Sequence, residues 1–178
     1  MISIPILFNP VFVLPIFAIV IIFILLALIL RKRLAKKNVY EKLCQYYKRT
    51  NVIKSKNKAY DFLIELENKK ILFKIIYNFD CAEINVNSKD FWQINRGAVS
   101  SRKKGEKMKN VYDLIEFDLK KNGFSKETLK IHVIYPNTKH LLKVLNECEM
   151  LVGDENTDFY GSRIINYNTI HKQLNNIK

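Results

Sequence analysis

The 178-residue chain carries 30 Lys and Arg against 17 Asp and Glu, a formal net charge of +13. That length builds one folded domain without metals or disulfides, and three scattered cysteines (Cys44, Cys81, Cys148) with no C-x-x-C pair exclude a disulfide framework, so buried, reduced thiols are expected. Five glycines and the absence of P-loop, G-x-G-x-x-G and G-x-S-x-G motifs exclude phosphate-cradling loops and a nucleophile elbow.

The first 30 residues contain no Asp, Glu, Lys, Arg or His, so the whole charge lies from Arg31 onward. Residues 11–30, VFVLPIFAIVIIFILLALIL, are Val, Leu, Ile or Phe apart from two Ala and Pro15. As a helix they would cover about 30 Å, the thickness of a bilayer's hydrocarbon core. Pro15 falls near one end, where a missing N–H is cheap. A secretory signal would open with basic residues and close on a small-residue cleavage site. MISIPILFNP at the front and LIL-RKR at the rear offer neither, so an uncleaved transmembrane helix is expected. Basic residues flank one end alone: Arg31, Lys32, Arg33, Lys36 and Lys37. The positive-inside rule then places residues 1–10 outside the cell and residues 38–178 in the cytoplasm. The basic juxtamembrane segment 31–37 would lie against acidic headgroups, at about 1 kcal/mol per charge.

Beyond the collar, Leu34, Val39, Leu43, Tyr46 and Tyr47 have helical spacing over residues 34–50. A short strand at Val52–Ile53 follows, then alternation in AYDFLIEL (59–66) predicts a strand and a hairpin to KILFKIIY (70–77), apolar enough to be central. Asn and Asp turns bracket two further strands, 82–86 and 91–94. Residues 97–104 read as a loop and Gly105 to Gly123 as a helix with Met108, Val111, Tyr112, Ile115 and Leu119 on one face. IHVIYP (131–136) is a buried strand returning in parallel onto the sheet. A helix capped at Asn137 or Thr138 (KHLLKVLNECEM), a strand over 158–165 and a terminal helix, NTIHKQLNN, complete a single domain. This is an α/β (α+β) fold with a mixed central sheet and flanking helices.

Few residues carry chemistry. His132, His140 and His171 lack metal-ligand spacing with one another or with the cysteines. Glu147, Glu149, Asp154, Glu155 and Asp158 lack the spacing of a calcium loop and read as solvated surface. Arg96, Arg102, Lys103, Lys104 and Lys107, with Lys109 and Trp92 nearby, form the stretch best suited to phosphate contacts. Across the chain, however, 24 Lys outnumber 6 Arg, and the planar Arg fork is what base-reading and phosphate-clamping surfaces favour.

Asp61 in YDFLI, Lys74 in ILFKI thirteen residues later, Trp92, the stretch from Gly105 and IHVIYPN (131–137) together resemble a restriction-endonuclease-like core of αβββαβ order. Within that group they are similar to the nuclease-related domain often found in bacteria, over roughly residues 38–150. The resemblance implies that Asp61 is the metal-binding carboxylate and Lys74 the lysine of a Glu-x-Lys motif. The motif's Glu position is Leu72, so the second carboxylate is missing, with Glu41, Glu65 or Glu83 as possible substitutes. Two acidic groups normally hold the divalent metal beside the scissile phosphate, and one carboxylate among waters holds Mg²⁺ weakly.

The expected function is a single-pass, membrane-anchored, cytoplasmic, nuclease-like module that binds rather than cleaves and needs no cofactor. The alternative is a membrane-anchored nuclease with a rearranged site using Mg²⁺. The expected partners are the lipid bilayer and either nucleic acid or another protein, the latter through an exposed sheet edge. No small-molecule substrate is evident.

Overall fold

The computed structural model describes residues 10–56, 59–67, 69–88, 91–96, 106–107, 128–146, 148–154 and 156–175. The chain divides into two units, Met1–Lys37 and Asn38–Lys178. A single helix, α1 (Pro10–Tyr46), runs from the first into the second. In the first unit it is long and apolar enough to cross a membrane, and none of its most apolar window is buried. Every residue from Leu14 to Leu34 is exposed, Phe17 at 65% and Phe23 at 68% among them.

The second unit is α+β, with two five-stranded sheets where a single central sheet was expected. The first sheet has the order β1-β2-β3-β7-β10: β1 (Val52–Lys54), β2 (Phe62–Leu66), β3 (Lys69–Asn78), β7 (Leu129–Pro136) and β10 (Arg163–Asn166). The second has the order β6-β5-β4-β8-β9: β4 (Glu83–Val86), β5 (Trp92–Asn95), β6 (Glu106–Lys107), β8 (Leu141–Val144) and β9 (Met150–Val152). β1, β2 and β3 form an antiparallel meander, and β7 and β10 add in parallel. The predicted parallel return of IHVIYP is therefore present, with Phe73 level with Ile131.

Side-chain alternation builds a layer on each face of the first sheet. Ile71, Phe73 and Ile75 of β3, with Ile131 and Val133 of β7, face Val39 and Leu43 of α1, Tyr47 just after it, and Ile170 and Leu174 of α2 (Ile170–Asn175). Ile76, Ile134 and Ile164 face the other way, against Ile84, Val86, Trp92, Ile94 and Leu141 of the second sheet and against Phe159. Central strands covered on both faces cannot alternate with polar residues, which explains the unbroken apolarity of KILFKIIY.

The chain passes from β3 to β4 and from β7 to β8 through one shared corner, locked by buried polar side chains. Asn78 donates to the carbonyls of Ala82 (2.8 Å) and Asn137 (2.9 Å) and accepts from the Ala82 N–H (3.1 Å). The Thr138 hydroxyl lies 2.6 Å from the Ala82 carbonyl and 2.9 Å from that of His140. Cys81 takes a positive φ of 51° in this turn.

Four further sequence expectations are corrected. KHLLKVLNECEM is a hairpin, β8 and β9, with no helix: Leu141 and Leu142 lie alongside Ile84 and Asn85 of β4, and the Asn146 side chain accepts from the Cys148 N–H (3.0 Å) to make the turn. Its apolar residues fit a helix face and a strand pair equally well, and pairing with β4 decides. Glu106 and Lys107 form β6 against β5 instead of opening a helix. The rest of that stretch, 108–127, and the loop 97–104 lie outside the described residues. Residues 158–162 are a turn about Tyr160 (φ 55°) and Gly161 (φ 85°), so the last strand starts at Arg163. The thiols are free as expected, but Cys81 and Cys148 are exposed, not buried.

Candidate functional site

The β2–β3 register ends at Phe62 opposite Phe73, and Asp61 lies just before it, beside Phe73 and Ile75 of β3. The local geometry gives Asp61 a definite task. Its N–H donates to the Phe73 carbonyl (2.7 Å), and its own carbonyl turns to β1 and accepts from Ser55 (2.9 Å). The Asp61 carboxylate then replaces that carbonyl on the β3 side, accepting from the Ile75 N–H at 2.9 Å. A charged acceptor on a backbone donor makes a hydrogen bond about twice as strong as a neutral one. The Tyr77 phenol is pushed up to about 12, by burial first and by the Asp61 charge second.

Lys74 lies level with His132 of β7 on the sheet face turned toward the second sheet. His132 is fully buried, and its ring meets that of Trp92 on β5 with centroids 5.0 Å apart and planes tilted by 53°. The sequence placed Trp92 in this neighbourhood. It gave no reason to bring in His132, whose position follows from the parallel pairing of β7 with β3.

The remaining acids do not gather here. Glu65 sits at the far end of β2, four residues or roughly 13 Å along the strand, and pairs with Lys70 at 3.5 Å across the hairpin. Glu83, in the second sheet, accepts from the Asn95 side chain at 3.1 Å. Glu41 is exposed on α1 and lines a surface cleft with Tyr40, Cys44, Gln45 and Arg49. Among the described residues, no group of three or more His, Cys, Asp or Glu side chains is placed to hold a metal ion. The donor set around Asp61 is one carboxylate already engaged by the backbone, and it does not fit the two-carboxylate cradle of a Mg²⁺ ion.

Of the predicted phosphate-contacting residues, Arg96 is exposed and ion-paired with Asp80 beside the second sheet. Lys107 stands in β6 opposite Gln93. Arg102, Lys103 and Lys104 lie outside the described residues. In the juxtamembrane segment Arg31, Lys32, Arg33 and Lys37 are exposed and Lys36 half-buried.

Comparison with protein-family models, with curated proteins and with solved structures found no match to this chain. The functional reading therefore stands on the residues themselves.

Proposed function

We propose that this protein is a single-pass membrane protein with residues 38–178 on the cytoplasmic side, where they act as a nuclease-like binding module without hydrolytic activity. The carrying observation is the run from Leu14 to Leu34, exposed throughout and free of charge as far as Leu30. At about 25 cal/mol per Å² of apolar surface, leaving such a run in water is strongly unfavourable, and a bilayer removes the cost. The cationic collar Arg31–Lys37 supports the orientation. The non-catalytic part rests on the engagement of the Asp61 carboxylate by the Ile75 N–H, on Leu72 at the Glu position, and on the distance of Glu65.

One experiment addresses both parts. The full-length protein should sediment with membranes, resist alkaline carbonate extraction and enter solution with detergent. The detergent-solubilised protein should leave DNA and RNA intact in Mg²⁺ or Mn²⁺. Recovery of the protein in the detergent-free supernatant sinks the anchoring. Metal-dependent cleavage lost in both Asp61→Ala and Lys74→Ala would establish the alternative, a membrane-anchored nuclease using Asp61 and Lys74.

A further inference from the structure

β9 closes one end of the second sheet and is poorly protected. In the β8–β9 ladder, the Gly153 N–H donates to the Leu141 carbonyl and the Leu145 N–H to the Glu149 carbonyl. Antiparallel pairing then directs the N–H and C=O groups of Met150 and Val152 away from β8, on the side where, among the described residues, no strand pairs with β9. Met150, Leu151 and Val152 are 55%, 46% and 69% exposed, and Leu145 is 51% exposed. A hydrophobic edge with outward backbone groups and no lysine on the strand is a template for pairing with another chain.

The charge around this edge narrows what can pair with it. In sequence the flanks of β9, residues 144–162, carry five acidic side chains and no basic one, in a chain of net charge +13, while Lys143 of β8 bonds the Asp158 carbonyl and Lys172 shares a cleft with Asp154. Glu149, Asp154 and Asp158 are exposed. The opposite arrangement surrounds β1, which closes one end of the first sheet. In sequence the flanks of β1, residues 48–60, contain five basic side chains (Lys48, Arg49, Lys54, Lys56, Lys58) and no acidic one, with Glu41 of α1 sharing a cleft with Arg49. The Ser55 N–H bonds back to Asp61, so by the same alternation the Lys54 backbone faces outward, with Ile53 43% exposed beside it. The Lys54 ammonium lies over the Tyr40 ring, 4.0 Å from its centroid.

We propose that the chain self-assembles by adding the basic β1 edge of one copy to the acidic β9 edge of the next. The two edges differ, so the contact is head-to-tail and propagates as a ring or an open array. A symmetric β9–β9 contact would bring acidic flanks together, a like-charge juxtaposition that costs several kcal/mol at an interface. The inference does not depend on whether the domain cleaves nucleic acid.

The test is the mass of the full-length protein in detergent micelles, measured by sedimentation over a range of concentration and salt. The wild type should grow with concentration, and less so at high salt. Val152→Lys, an exposed change, should raise the dissociation constant by about tenfold or more. A β9 variant (Glu149→Lys with Asp154→Lys) and a β1 variant (Lys54→Glu with Lys56→Glu) should each stay monomeric alone and assemble when mixed, because the mixture restores opposite charges at each contact. Circular dichroism matching the wild type checks that both variants fold. A wild type that remains monomeric throughout overturns the proposal. So does a β1 variant that assembles like the wild type, which would point to a symmetric β9 contact.

Discussion

At the scale of single residues, the domain depends on polar groups placed where two strands change sheets. Asn78 is 1% exposed and satisfies three backbone groups by itself, while Thr138 shares the Ala82 carbonyl. Removing the amide leaves the Ala82 N–H and the Asn137 carbonyl buried without that partner, at about 1–3 kcal/mol for each stranded group. Asn78→Ala should therefore lower stability by about 2–4 kcal/mol in denaturant unfolding, and Asn78→Asp, which keeps an acceptor but loses the donor, should not restore it. Gly153 is a second such position. A Cβ there would stand 2.3 Å from the Phe159 ring, which is fully buried, so the close approach of backbone to ring requires glycine. Neither role is visible in the sequence, because each depends on a neighbour brought in by the fold.

At the scale of elements, α1 has two characters along one continuous helix. Its first part is apolar on all sides and exposed; from Asn38 the buried apolar residues narrow to Val39 and Leu43, four apart on one stripe against the first sheet, with Tyr47 continuing the stripe just past the helix end. Truncating the buried Leu43 to Ala should cost the domain about 2–5 kcal/mol, whereas Leu34→Ala, at a residue 56% exposed, should leave its unfolding midpoint within experimental error. Comparable losses from both variants would contradict this division. The hairpin that read as a helix teaches the complementary lesson. LLKVL carries no period that separates helix from strand, and the deciding partner, β4, lies more than fifty residues earlier.

At the scale of the whole molecule, the titration of buried phenols limits stability on the alkaline side. Burial, and next the neighbouring Tyr46, push Tyr47 up to about 12, and Tyr77 stands equally high. The folded protein holds these protons more tightly than the unfolded chain, whose phenols titrate near 10.0. The stability they contribute is fully present below about pH 10 and is lost as the pH rises through about 12. Denaturant midpoints should fall across that window, with the last phenolate absorbance appearing together with unfolding. A midpoint unchanged to pH 12 would show that these phenols ionise without unfolding the domain.

The apolar helix, its cationic end, the β2–β3 hairpin and the buried strand at 131–136 were all legible in the sequence, because each rests on local composition or on a period that neighbours in the chain supply. Tertiary structure alone decided that the strands divide into two sheets, that the Asp61 carboxylate is taken by the Ile75 N–H, and that His132 lies against Trp92. Those outcomes depend on pairings between distant segments, whose free energy comes from burying both partners together and is not carried by either segment on its own.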